Sequence, residues 1–256
     1  MPNSSDYIMD TFLKTLFDFD KVTLEPHVGV LGHVAAYYGC VEAQGRGSLH
    51  CHMIVWLVGS LNPNDIKEWL TCGNNTVFKD NLLAFLEDLI TTSVPDDPLP
   101  EQDVPSSLFH PSSMRAPNLD VVPDLACKHL QKDLHFLAKA CQVHQHTHTC
   151  FKYWLGPPEL RECRFGLDLQ NYQALSAVDE NIGEISLQCL DGMVNHYNKT
   201  ILTAIRCNMD IQFIGSGQSA KVILYYITDY ITKMQLKTHM AYAALELAVN
   251  KIGTMI

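Results

Sequence analysis

The 256-residue sequence contains no apolar run approaching 18 residues, which excludes a membrane-spanning helix of ordinary length. Its opening, Met1-Pro2-Asn3-Ser4-Ser5-Asp6, lacks the basic and apolar regions of a secretory signal, so a nuclear or cytosolic setting is expected. Basic residues are scarce: 18 Lys and Arg against 28 Asp and Glu leave a formal charge of −10, the opposite of the balance that non-specific nucleic-acid binders use. A disulfide framework is missing too. The nine cysteines (40, 51, 72, 127, 141, 150, 163, 189 and 207) are odd in number and scattered among apolar residues, a pattern of free thiols with a metal site among them. What is abundant is apolar surface, 47% of residues, enough for a globular core.

The stretch that carries most information is Glu42-Ala43-Gln44-Gly45-Arg46-Gly47-Ser48-Leu49-His50-Cys51-His52-Met53-Ile54-Val55-Trp56-Leu57. After the glycine turn, Leu49 to Leu57 is β-branched, aromatic and apolar, and reads as a buried strand. Strand side chains alternate, so His50 and His52 share a face about 7 Å apart, with Cys51, Met53 and Val55 on the other. The segment before the turn reads as the partner strand of a hairpin, with Glu42 and Gln44 on one face. Two imidazoles beside an acid and an amide suit one divalent metal ion.

Elsewhere the pattern is α+β. Ile8, Met9, Phe12, Leu13, Leu16 and Phe17 recur at helical spacing, and Val28 to Val41 is either one strand or a turn followed by a strand ending at Gln44. His33 is expected to be structural. Helices are expected after Asn62-Pro63-Asn64-Asp65, from Asn81 to Thr91, from Asp124 to Gln142 and from Met193 to Ile205, with a short strand over Asp210 to Ile214. Seven of the twelve prolines fall between Thr92 and Pro123, an irregular acidic segment. It separates a front half (1–91), holding the His pair, from a back half (124–256).

The back half has two features of its own. Residues 141–150 hold three histidines and two cysteines, and Cys163 follows across a Gly156-Pro157-Pro158 turn, making 141–165 a His/Cys-rich appendage. Zinc takes thiolates and imidazoles in a tetrahedron, and His144, His146, Cys150 and Cys163 are the expected ligands, although the spacing matches no standard finger. The second feature is a helix over 218–234 in which Tyr226 and Tyr230 lie one turn apart, with Lys233 on the same side. A phenol attacks phosphorus only if it is positioned in line and the phosphate charge is neutralised. A metal on the His pair would meet the second condition.

The Glu42 to Leu57 segment resembles the HUH motif region of Helitron transposases, and Tyr225-Tyr226-Ile227-Thr228-Asp229-Tyr230-Ile231-Thr232-Lys233 resembles their two-tyrosine motif. The likeness extends to the His/Cys cluster before Cys163-Arg164-Phe165 and to Arg206-Cys207-Asn208-Met209-Asp210-Ile211. It implies a central antiparallel sheet flanked by helices. It also implies Mg²⁺ or Mn²⁺ held by His50 and His52 with Gln44 or Glu42, Tyr226 and Tyr230 as nucleophiles, Lys233 as a helper at the phosphate, and single-stranded DNA at transposon ends as substrate in the nucleus. Family members join this region to a helicase, but no Gly-x-x-x-x-Gly-Lys-Ser/Thr loop is present, so a fragment without ATPase activity is expected. The competing expectations are a catalytically dead DNA-binding remnant and a zinc-stabilised interaction module in which both histidines are structural.

Overall fold

The computed structural model describes residues 4–20, 22–23, 27–43, 49–72, 75–98, 110–152, 154–158, 161–215, 221–225 and 228. These form an α+β protein that divides into two compact units: residues up to Asp65 together with those from Ile214 onward, and Ile66–Phe213.

The first unit begins with α1 (Ser4–Leu16), which buries Leu13 and, just past its end, Phe17 and Phe19, while Ile8 at its start faces solvent. Phe12 meets Phe17 edge to face at 5.0 Å. The chain then forms an antiparallel sheet of β1 (Val28–Gly29), β2 (Gly32–Ala43) and β3 (Leu49–Leu57), in that order. A turn followed by one long strand is therefore the correct alternative for the glycine-punctuated segment. Gly32 makes the turn with φ of 95°, a conformation that L side chains rarely adopt. Gly29 lies against the end of α1: a Cβ there would sit 2.3 Å from the Phe17 carbonyl oxygen, and the Val30 N–H donates to Leu16 O at 2.7 Å. Helix and hairpin are thereby clamped together, and Phe19 packs edge-on against Tyr37 of β2 at 5.5 Å.

The long β2–β3 hairpin pairs Glu42 with His50, Cys40 with His52, Tyr38 with Ile54 and Ala36 with Trp56, after an irregularity between Val34 and Ala36. β3 has the expected bounds but not the expected burial. Of the side chains described on it, only Ile54 is buried, and among the described residues β3 has no neighbour strand beyond β2. Residues 221–225 are helical. Tyr226, Tyr230, Lys233 and Gln44 lie outside the described residues.

Helix α2 (Pro63–Thr71) crosses the boundary of the units, and Asn62 Oδ1 accepts from the Asn64 N–H at 2.9 Å near its start. The second unit continues with α3 (Thr76–Leu89), which starts before Asn81, and α4 (Pro123–Leu137), which ends in a wide π turn over Ala138–Gln142. The proline-rich residues 92–98 and 110–122 are irregular apart from a 3₁₀ turn at Pro111–Ser113. Residues 171–191 contain a small hairpin of β4 (Ala177–Asp179) and β5 (Glu184–Ser186).

Two expectations fail here. The helical run from Met193 shrinks to α5 (Lys199–Ile205), since Val194 and Tyr197 are drawn into bridges with Val143 and Thr91 and Asn198 caps the helix through Thr200 and Ile201. Asp210 to Ile214 is irregular: Ile211 bonds His196, but no ladder forms on which a strand could build.

The core of this unit is Leu137, Ala138, Val194, Tyr197 and Leu202. Tyr197 is fully buried and donates its phenol to Ser93 O at 2.8 Å; burial pushes its pKa up to about 12, so it stays protonated. Beside the core, the Arg206 guanidinium makes a two-pronged pair with Asp133 at 2.6 and 2.8 Å and donates from Nε to Pro111 O at 3.2 Å. Arg206 ends α5 with φ of 54°, so this one residue turns the chain and ties α5 to α4 and to the proline-rich segment. Both side chains are nearly buried, at 8% and 13% exposure. Asp133→Asn is accordingly expected to destabilise the protein by about 3 kcal/mol, by leaving the guanidinium charge uncompensated. Urea denaturation of the variant measures the loss.

Candidate functional site

The second unit assembles the clearest cluster. The π turn ends at Gln142, which is fully buried and whose amide meets the Met209 backbone, donating to its carbonyl at 3.0 Å. Val143 then bridges Val194, and the His144 N–H donates to Met193 O at 2.7 Å, so the chain enters the cluster from a fixed point on the core. A 3₁₀ turn, His148–Phe151, brings Cys150 back towards His144, and the Arg164 N–H donates to Cys150 O at 3.2 Å, bringing Cys163 alongside.

His144, His146, Cys150 and Cys163 then place one donor atom each within 4.8 Å of one another. His144 Nε2 is 3.3 Å from Cys150 Sγ and 3.5 Å from Cys163 Sγ. A zinc tetrahedron with ordinary bond lengths has a nitrogen–sulfur edge of about 3.6 Å, so these two edges are already close to the required length. The cluster could hold a metal ion such as zinc.

Its electrostatics suit a cation. The Thr147 N–H donates to Cys150 Sγ at 3.3 Å and, against the opposing effect of burial and with help from His146 and His144, lowers the thiol pKa to about 6. A thiolate is thus available at neutral pH. Phe165 stands edge-on to His144 at 5.5 Å, and the Arg164 guanidinium lies 4.5 Å over the Phe165 ring.

The first unit carries the other candidate. His50 and His52 share a face of β3, their rings edge to face at 4.6 Å. Glu42 stands opposite His50 across the ladder, yet its carboxylate reaches diagonally to His52, with Oε2 4.0 Å from Nε2. His52 is only 10% exposed. Burial first, then the neighbouring His50, lower its pKa, against the pull of Glu42, and so favour the neutral imidazole that a metal needs. Two imidazoles and a carboxylate are a fitting donor set for a divalent ion. They converge less tightly than the His/Cys cluster, which among the described residues is the only group of three or more donors close enough to hold an ion.

Parity reasoning could have found a fourth residue of this face. Cys40 pairs with His52 and is on the same side, as are Tyr38 and Trp56 further along.

Residues 6–55 match the family model of the Helitron helicase-like domain at the N-terminus. The matched segment runs from α1 to Val55 and so contains Glu42, His50 and His52. It relates this part of the chain to Helitron proteins. No curated protein and no solved structure matches the chain. Among the described residues, no helix is long and apolar enough to cross a membrane.

The His/Cys geometry leads to a direct test. Protein purified without chelator is expected to retain about one zinc per chain, and Cys150→Ser and Cys163→Ser to hold substantially less. Metal ligation needs the thiolate, so protons compete more strongly as pH falls, and zinc retention is expected to drop below about pH 6 and to be full above pH 7. Metal analysis after dialysis across that range checks both.

Proposed function

We propose that this chain is a single-strand DNA endonuclease and strand-transfer domain of the Helitron type. The observation that carries the reading is that Glu42, His50 and His52 lie on one face of a hairpin inside the segment that matches the Helitron N-terminal model.

A Mg²⁺ or Mn²⁺ ion bound there would supply Lewis-acid polarisation of the scissile phosphate. His52, kept neutral by burial, and His50 offer lone pairs, and Glu42 adds an oxygen and a negative charge. Gln44 is the further oxygen donor in this scheme. Tyr226 or Tyr230 attacks phosphorus through its phenol oxygen; the bond from phosphorus to the 3′ oxygen breaks, and the departing oxygen takes up a proton in place of the one the phenol gives up. A 5′-phosphotyrosyl bond and a free 3′ hydroxyl result, with the phosphodiester energy conserved for rejoining. Lys233 assists at the phosphate, and the second tyrosine allows a second transfer without release. His144, His146, Cys150 and Cys163 hold a structural zinc in this scheme. The site of action is the nucleus, where transposon ends are found.

A second reading is favoured by two observations: the looser convergence of the Glu42 face compared with the His/Cys cluster, and the formal charge of −10. It is a remnant that binds DNA without cleaving it, or a zinc-stabilised interaction module.

Incubation with labelled single-stranded oligonucleotides and Mn²⁺ separates these. The wild type is expected to nick and to form a covalent protein–DNA adduct that EDTA prevents. Joint Tyr226→Phe and Tyr230→Phe removes the adduct, and His52→Ala lowers the rate on the order of 10²-fold or more. An adduct that survives the double tyrosine substitution contradicts the tyrosine assignment. Stoichiometric zinc with no nicking under any divalent metal favours the second reading.

A further inference from the structure

The face that holds Glu42, His50 and His52 continues along the hairpin. Register puts Tyr38 opposite Ile54 and Trp56 opposite Ala36, so Tyr38 and Trp56 are on the same side as the two histidines. Ile54 between them is 8% exposed, while Tyr38 and Trp56 are 42% and 44% exposed. Diagonal neighbours on one face of an antiparallel pair lie about 7–8 Å apart, within reach of aromatic rings.

Phe12 packs on Phe17 and Phe19 on Tyr37, while Tyr7 and Tyr225 are exposed but lie off this hairpin face. Tyr38 and Trp56 stack on no other ring among the described residues. A part-exposed indole and phenol, flanking a buried isoleucine, form an apolar shelf that starts about 7 Å along the strand from His52 and ends about 13 Å from it. That is the reach of the nucleotides next to a phosphate held at the histidines.

We propose that Tyr38 and Trp56 form a base-stacking platform for the unpaired nucleotides that flank the scissile phosphate. The proposal rests on the reading of this face as a single-strand DNA site and names what grips the strand there. The occupant follows from charge as well as shape. With 28 acidic against 18 basic residues, the chain gains little from counterion release, so a single strand has to be gripped mainly through its bases, which every sequence presents as flat π faces. A duplex hides those faces and would gain nothing from the shelf.

The test measures affinity of the full chain, in Mn²⁺, for an oligothymidylate and for an abasic strand of equal length. The wild type is expected to bind the base-bearing strand on the order of 5- to 150-fold more tightly for each ring engaged. Trp56→Ala and Tyr38→Ala are expected to lose most of that preference while leaving the affinity for the abasic strand unchanged, and Trp56→Phe to retain much of it. The comparison of two strands on the wild-type protein does not depend on how the variants fold. If the wild type nicks single strands but binds the abasic strand as tightly as the oligothymidylate, the platform is overturned and the nuclease reading stands. If it neither binds nor nicks any single strand, both fall.

Discussion

The register of the β2–β3 hairpin is the constraint on which the first unit depends. Side chains alternate faces with a period of two, so a slip of one residue would carry His50 and His52 to the side opposite Glu42 and exchange Trp56 for Leu57 beside Tyr38. The end of the hairpin away from the β2–β3 connection is held by features unrelated to metal chemistry. Gly32 makes a turn that needs positive φ, and Gly29 has no room for a side chain against Phe17. Leu13, Phe17 and Phe19 are buried near that end, whereas the end beside the connection, where the imidazoles sit, carries mostly half-exposed residues among those described. The hydrophobic stabilisation is thus concentrated away from the donors. The donors themselves contribute little to the stability of the strand pair, which is the arrangement expected of a site that has to admit a ligand.

The second unit solves a different problem. Its four donors come from a segment with almost no regular structure, and an irregular chain holds a fixed geometry only if its backbone bonds go somewhere. They do so through three anchors: Val143 and His144 to the strand-like segment before α5, the Thr147 and Cys150 pair closing the 3₁₀ turn, and Arg164 to Cys150. Behind these lies the core of Leu137, Val194, Tyr197 and Leu202, with Gln142 locked to Met209. The Asp133–Arg206 pair holds α4 and α5 in register behind that core, so a buried ion pair far from the cluster still supports it.

These differences also explain what could be read from the sequence. Strand β3 and the histidine face were legible because alternation over nine residues and an adjacent glycine turn are local signals. The His144, His146, Cys150 and Cys163 grouping was legible as a first choice from the local density of histidines and cysteines and the ligand preferences of zinc. The extended path of residues 193–198 was not, because Val194 and Tyr197 have helical spacing locally and are extended only through partners about 50 and 100 residues earlier, Val143 and Thr91. The diagonal contact of Glu42 with His52, rather than with the facing His50, was equally out of reach: the ladder sets which residues are opposite, but rotamers decide which atoms approach. The roles of Tyr226, Tyr230 and Lys233 rest on sequence resemblance.

Charge is the strongest physical objection to the proposed DNA-directed role, and the two candidate metal sites would answer it unequally. A zinc ion in the His/Cys cluster brings two positive charges but requires two thiolates, so its site is neutral and leaves the acidic surface as it was. An ion on the Glu42 face meets a single carboxylate already included in the formal charge of −10 and neutral imidazoles, so it keeps a net positive charge at that point. In a partly buried pocket such a charge is screened far less than one on the surface. On the proposed function, an acidic protein carrying such an ion would repel the backbone of a duplex over most of its surface and attract one phosphate at one position. A strand would then have to enter by its exposed bases before its phosphate reached the ion. Only an unpaired strand could do that, so under the proposed function a charge unfavourable to general DNA binding would act as a filter for single strands.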